Sequence, residues 1–253
     1  MSWRITAEGF SLCQYEPWIQ AEIRHGMFGA PLDFRAPKRA ASIVEAEQFV
    51  GLEFPIPVRW LRQTHSAILL GVGLPAEVPL GAYTPDAEGD GFVFSRSGSK
   101  GTFAITTADC LAVTMISGDW GALVHAGWRG LAAQIVPTAA RILHNLSDAP
   151  IDVVISPHAS AAKYEVGKEV IDAFSLDGGI VSRRENGRFY LDLSGTARAQ
   201  VEVAGVPIAG WHDPDICTIQ HSTWHSHRRD GERSGRNVTV IAQMANAQTV
   251  IAQ

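Results

Sequence analysis

Cysteine is scarce in this chain, with three among 253 residues, at positions 13, 110 and 217. An odd, widely separated set argues against a disulfide framework and fits reduced thiols, so a cytoplasmic location is expected. No C-x-x-C pair occurs, which excludes the usual four-cysteine structural zinc site. Long apolar runs are missing as well. The stretch 67–74 soon meets Pro75, Glu77 and Pro79, so no membrane-spanning segment and no membrane partner are expected. The opening residues MSWRITAEGF lack a basic segment leading into an apolar one, so no secretory signal is expected. Positive charge is not in excess: 21 Lys and Arg against 26 Asp and Glu leave a net charge of -5, which disfavours nucleic acid as the main partner.

What is present is a globular profile. Hydrophobic residues make up 46% and charged residues 19%, enough to bury a substantial core at this length. Residues 38–52 carry apolar positions at three- and four-residue steps, with Gly51 near the end, and predict a helix. β-branched and apolar runs predict strands at 58–61, 67–72, 92–94, 102–107, 111–116, 121–125, 151–155, 208–211 and 238–242. Residues 75–91, rich in Gly, Pro and acids, predict a long surface loop. The period turns helical over 129–145, where Pro137 must kink the helix or start a second one; further helices are predicted over 164–174 and 194–203. With no repeat and no linker, the expectation is one α/β (α+β) domain over 1–253, made of layered mixed β-sheets covered by helices.

Chemistry concentrates in TTADCLAVTMISGDWGALVHAGWRG, residues 106–130. Two predicted strands flank Ser117-Gly118-Asp119-Trp120, a stretch with turn chemistry. Cys110 and His125 are equidistant from the 117–118 bond, so a tight turn there pairs them directly, with Cβ atoms roughly 4.5–5.5 Å apart. A turn centred one residue later makes them diagonal neighbours, still within reach. The pair is either core filling or two arms of one site. His65, in the polar knot Gln63-Thr64-His65-Ser66 between two apolar strands, is the candidate third arm. One thiolate and two imidazoles suit zinc, and three ligands leave a fourth position open. Asp109 can orient a ligand histidine or serve as general base. The turn 126–130, with Gly127 and Arg129 ahead of a helix, is either an anion site or an ordinary strand–helix junction.

A second polar stretch, residues 221–237, carries three histidines and four arginines. It is either a solvated loop or an anion-binding one. Its His225-Ser226-His227 looks superficially like the H-x-H pairs of blue copper oxidases. Those enzymes need roughly ten histidines in all, and the chain has nine, so a self-contained multicopper oxidase is excluded by counting.

Taken together, RHG at 24–26, QTHS at 63–66, TADC at 107–110, HAGWRG at 125–130, YEVG at 164–167, LDL at 191–193, CT at 217–218 and RRDG at 228–231 resemble one family over nearly the whole chain. It is the YfiH/YlmD-type laccase-domain family, also called purine nucleoside phosphorylases of that type. The resemblance implies a fold related to the catalytic domain of cytotoxic necrotizing factors and a zinc held by His65, Cys110 and His125. It implies phosphorolysis of adenosine, inosine, guanosine and methylthioadenosine, and deamination of adenosine, with purine nucleosides and phosphate as partners. An older label for the family is polyphenol oxidase with copper. On these motifs Asp109, Arg129, Arg228 and Arg229 become the candidate catalytic residues. Arg24, His25, Gln63, Gly127, His227 and Asp230 become the candidate substrate or phosphate contacts. Three departures stand out. Gly26-Met27 replaces Gly-Gly, Asp33 stands where the family has asparagine, and Trp224, His225 and His227 replace an aromatic pair and a tyrosine. The competing readings are a copper-dependent phenol oxidase, a metal-free Cys110–His125 hydrolase, and a metal-binding interaction protein.

Overall fold

The computed structural model describes residues 2–6, 10–50, 54–55, 57–98, 101–174 and 179–243. In chain order the strands are β1 (Trp3–Thr6), β2 (Leu12–Tyr15), β3 (His25–Phe28), β4 (Val58–Arg59), β5 (Leu69–Val72), β6 (Gly81–Ala82), β7 (Gly91–Ser95) and β8 (Gly101–Thr107). They continue as β9 (Leu111–Ser117), β10 (Trp120–Ala126), β11 (Ile151–Ile155), β12 (Glu165–Val166), β13 (Ser182–Glu185), β14 (Arg188–Leu191), β15 (Ile208–His212) and β16 (Asn237–Gln243). The helices are α1 (Glu16–Gln20), α2 (Arg39–Val50), α3 (Trp128–Ala132), α4 (Ile135–Leu146), α5 (Lys168–Asp172), α6 (Leu193–Val203) and α7 (His227–Asp230).

Two mixed sheets dominate. One has the order β1-β2-β3-β16-β8-β4 and the other β15-β11-β9-β10-β7-β5-β6; a small third sheet runs β12-β14-β13. The period of two in the strand sequences assigns their faces. In β8, Phe103 and Ile105 point one way and Ala104 the other; in β10, Leu123 opposes Ala122 and Val124. Phe103 and Ile105 meet Phe92, Phe94, Ala112 and Leu123 of the second sheet, and Phe94 stacks on Phe103 at 4.1 Å. The large sheets therefore pack face to face. The outer face of the first is covered by Ile43 and Ala46 of α2. The outer face of the second is covered by Ile135, Val136, Ala139, Ala140 and Leu143 of α4, with Ala197 and Val201 of α6. Deleting one fully buried leucine side chain from such a layer costs about 2–5 kcal/mol.

Most predicted elements stand close to their expected bounds, as the α/β (α+β) reading requires. The helical stretch 129–145 divides at Gln134, which takes φ 62°, and Pro137 falls in the first turn of α4. Its missing N–H costs nothing there, since the first four amides of a helix have no internal partner. The predicted helix over 164–174 is corrected. Glu165 and Val166 instead pair with Tyr190 and Phe189, and only the five-residue α5 follows. The loop 75–91 contains the short strand β6, parallel to β5. Gly51, expected near the end of the α2 helix, lies outside the described residues.

Connectivity places the chemistry. The chain crosses from the first sheet to the second twice, from β4 to β5 through residues 60–68 and from β8 to β9 through residues 108–110. Because β4 and β8 are parallel neighbours, both crossings leave the same end of the first sheet. β16 is antiparallel to β8, with Asn237 opposite Thr107, so the segment leading into it arrives at that end too.

Candidate metal centre

The β9–β10 hairpin turns about residues 118–119, with Trp120 opposite Ser117 and His125 opposite Ala112. Its centre is one residue later than the Ser117–Gly118 bond. In this register Cys110 falls level with Gly127, two residues beyond His125 on the same face. That is the diagonal relation, and the parity that keeps both side chains on one face survives. Gly127 admits the close approach: a Cβ there would lie 3.0 Å from Cys110 Sγ and 3.3 Å from His65 Cδ2.

His65 arrives on the other crossing. Its φ of 60° and the φ of 86° at Asp109 are left-handed values that non-glycine residues adopt at a cost. The surroundings hold His65 there. The buried Asp90 carboxylate accepts from the backbone amides of Thr64 (3.2 Å), His65 (3.0 Å) and Ser66 (2.6 Å), and from Ser66 Oγ (2.6 Å). It also accepts from His125 Nδ1 at 2.8 Å, while the His125 amide donates to the Asp90 carbonyl at 2.7 Å. With Nδ1–H committed to Asp90, His125 presents Nε2 to the Cys110 side.

One atom each from His65, Cys110 and His125 lies within 4.8 Å of the others, the only such histidine, cysteine and carboxylate group of three among the described residues. The span matches a shared ion, given bonds of about 2.0–2.3 Å from metal to nitrogen or sulfur. Charge within the cluster is consistent with that use. Burial opposes ionisation of Asp90, but hydrogen bonds from His125 and Ser66 and the charge of His125 bring its pKa down to about 2. Burial opposes the Cys110 thiolate too; the charge of His125, hydrogen bonds from both histidines and the charge of His65 lower it to about 6. Burial depresses His125, and the Cys110 charge with the Asp90 hydrogen bond outweighs it, raising it to about 9. A thiolate and two imidazole rings fit a metal ion, which on binding would displace the proton that His125 holds between Cys110 and Asp90.

The cluster opens on a cavity of about 500 Å³ whose wall includes Gln63, Thr107, Trp128, Tyr164 and His227. Gln63 is fixed to β8, accepting from the Thr106 amide (2.9 Å) and donating to its carbonyl (2.8 Å). Arg129 stacks on Trp128 at 4.2 Å and Arg228 lies over Tyr164 at 5.3 Å, both on the cavity wall. Burial and the Cys110 thiolate push the Tyr164 hydroxyl well above its ordinary value, so it stays protonated.

Several sequence candidates sit elsewhere or do other work. The Asp109 carboxylate lines the cavity, but its oxygens accept from Thr218 Oγ1 and the Arg228 amide, both at 2.6 Å, and the carboxylate on His125 is Asp90. Arg229 spends its guanidinium on the carbonyls of Thr218, His221 and Trp224 and on Asp230, away from the cavity. His25 pairs with Ile241, four residues along β16 from Asn237, which at about 3.3 Å per residue is a full strand length from the site end. It is buried against Trp18, taking a bond from the Tyr15 amide at 2.8 Å, and burial lowers its pKa to about 4. Arg24 precedes it at that far end, where its carbonyl accepts from the Ala242 amide. Sequence reasoning missed Asp90, which carries the site's hydrogen-bond network, along with Arg39, Arg62 and Arg236 of the cavity wall. The signal for Asp90 was slight, one acid among Asp86, Glu88 and Asp90 in a polar loop. Tyr164 belongs to the YEVG motif, where the sequence predicts a helix start rather than a cavity wall.

Comparison with known proteins accords with this architecture. Residues 38–244 match the family described as multi-copper polyphenol oxidoreductase laccase. A purine nucleoside phosphorylase of Xylella fastidiosa (strain Temecula1) is 34% identical over 201 residues, covering 76% of this chain and 74% of that protein. Adenosine deaminase RL5, from an unknown prokaryotic organism, is 31% identical over 147 residues, covering 54% of this chain and 56% of its own. Among solved structures, YlmD from Geobacillus stearothermophilus superposes with a TM-score of 0.78 at 22% identity, over 96% of this chain and 98% of that one. At that identity the likeness concerns the fold.

Proposed function

This chain belongs to the multi-copper polyphenol oxidoreductase laccase family, and from that premise we propose that it is a zinc-dependent purine nucleoside enzyme. Its reactions are phosphorolysis of adenosine, inosine, guanosine or methylthioadenosine, and deamination of adenosine. The observation that carries the reading is one His65–Cys110–His125 donor set facing an arginine-rich cavity of about 500 Å³, within the range for small-molecule sites, about 300–1,000 Å³. Relatives named as purine nucleoside phosphorylase and adenosine deaminase support the substrate class. When bound, zinc supplies Lewis acidity and an activated water suited to attack at C6 of adenine. Copper is the alternative ion. A Cys/His₂ set also serves blue copper, but a multicopper oxidase needs a further cluster with roughly ten histidines in all, and the described residues hold one ligand group.

The protein's own groups supply the rest. Arg129 and Arg228 hold phosphate in position to attack ribose C1′, where the phosphate's negative charge faces the positive charge that develops as the glycosidic bond breaks. Asp109 positions Arg228 through the backbone amide it accepts from. Tyr164 is a protonated donor between Arg228 and the thiolate, and Gln63 and His227 shape the wall. Asp90 keeps His125 in the tautomer that offers Nε2. To test this, purified protein is assayed for metal and incubated with adenosine with and without phosphate, and base and sugar products are identified. About one zinc per chain is expected, with both metal and turnover lost in Cys110→Ala. Undiminished phosphate-dependent release of adenine by that variant overturns the reading.

One observation favours a second reading. Cys110, His125 and Asp90 form a chain of thiolate, imidazole and carboxylate, the arrangement of a metal-free cysteine nucleophile with an oriented base. Stoichiometric alkylation that abolishes activity in zinc-free, still active protein would select it.

A further inference from the structure

Five arginines line the cavity: Arg39, Arg62, Arg129, Arg228 and Arg236. Arg62 pairs with Glu88 at 2.8 Å. Among the described residues, the side chains of the other four have no carboxylate within ion-pair distance. The acids nearby are already committed. Asp109 serves Thr218 and the Arg228 amide, and Asp33 serves Arg35 and the Arg236 amide.

The four fall into two groups. Arg228 lies over Tyr164 at 5.3 Å and Arg129 over Trp128 at 4.2 Å, on the wall that also holds Cys110. Arg39 and Arg236 come from the first-sheet side, one opening α2 and the other leading into β16. Arg39 lies on Trp60 at 5.2 Å and its Nε is buried with no hydrogen-bond partner. Arg236 is braced by Nη1 on the carbonyls of Ser234 (3.2 Å) and Gly235 (2.9 Å). Two guanidinium forks satisfy one phosphate. Four cations without a carboxylate partner, drawn from two parts of the fold onto one cavity, suit two anionic groups.

We infer that the cavity takes a purine nucleoside 5′-phosphate, with Arg39 and Arg236 holding the 5′-phosphate and Arg129 and Arg228 the attacking phosphate. The inference rests on the purine nucleoside reading above and extends its substrate class. In the reaction, an oxygen of inorganic phosphate bonds to C1′ as the C1′–N9 bond breaks. The electron pair leaves with the base, which takes up a proton, and the products are free purine and ribose 1,5-bisphosphate. Nothing is oxidised or reduced.

The test uses the zinc-loaded full chain and calorimetry with adenosine and adenosine 5′-monophosphate, alongside turnover of each. The monophosphate should bind at least about tenfold tighter, the worth of one charge-assisted fork, and should take up one inorganic phosphate per chain. Arg39→Ala and Arg236→Ala should pull the ratio of the two affinities toward one. Arg39→Gln, which keeps the stem over Trp60, guards against a folding defect. Equal affinity for the two ligands, or a ratio unmoved in these variants, overturns the inference. Adenosine turned over by a protein that binds the monophosphate no better overturns the inference alone. Failure to bind either ligand overturns it together with the nucleoside reading. Uptake of two inorganic phosphates in the presence of the monophosphate assigns the second arginine pair to free phosphate and also overturns it.

Discussion

The two sides of the cavity differ in how they use polar residues. On one side three ligand-type residues, His65, Cys110 and His125, all converge, because Asp90 gathers both the 64–66 backbone and the His125 ring. The other side, residues 221–237, is far richer in histidine and arginine but sends only His227, Arg228 and Arg236 into the cavity. There His225 donates from Nε2 to the Leu32 carbonyl at 2.7 Å, and Arg229 braces three carbonyls. Density of ligand-type residues does not make a site; a buried group that fixes their directions does.

The largest effect expected is at Asp90. In Asp90→Asn the His125 ring loses its charged partner and the 64–66 loop its common acceptor. Removing such an outer partner lowers metal affinity about 10–100-fold, and breaking a buried charged pair costs about 3–5 kcal/mol. Chelator competition and urea unfolding read the two, and a variant that holds metal as wild type would deny Asp90 its organising role. The Asp90 charge also predicts acid sensitivity. Its pKa falls from 3.8 to about 2 on folding, so its contribution is present above pH 4 and disappears as pH drops toward 2. That contribution is about 2 kcal/mol at most, by linkage, and Asp90→Asn should flatten the stability profile over that window.

Smaller effects separate the two sides further. Gly127→Ala places a methyl 3.0 Å from Cys110 Sγ, so the ligands must give way. Metal affinity should fall, with stability lowered by about 1–3 kcal/mol as in overpacked sites; equilibrium metal titration checks it. Arg229→Ala should cost about 1–3 kcal/mol, from carbonyls left without a donor, while the phosphate KM follows wild type. Arg228→Ala should raise the phosphate KM, with stability lowered by about 0.5–1.5 kcal/mol at most, from the exposed Nη1 bond to the Glu165 carbonyl at 2.8 Å. If both variants behaved alike in phosphate kinetics and in melting, the division of this loop into brace and contact would be wrong.

Much of the architecture was legible. The apolar runs at 102–107, 111–116 and 121–125 are strands β8, β9 and β10, and the helical period over 129–145 holds α3 and α4. The Cys110–His125 proximity followed from hairpin parity, even though the turn sits one residue later, because a one-residue displacement of the turn centre moves the pairing by two and leaves both side chains on one face. The strand at Glu165–Val166 was hidden, since two residues carry too little pattern to announce a pairing with Phe189 and Tyr190. Asp90 was hidden for a different reason. Its importance comes from what folds around it, and the amides of Thr64, His65 and Ser66 lie 24–26 positions away in the chain.

The sequence by itself determined the layered α/β character and the chemistry of the donor set, one thiol and imidazoles in turns beside strands. Those rest on local periodicity and on side-chain identity, which travel with the chain. Only the tertiary structure decided which polar residues share a space. Two crossings between the sheets leave one end together because β4 and β8 run parallel, which brings His65 to Cys110. The register of β3 on β16 carries Arg24 and His25 to the far end, and Asp109 is turned to Thr218 and Arg228 while Asp90 takes the histidine. Such placements depend on strand order and register, and these are settled by burial of the two sheet faces against each other.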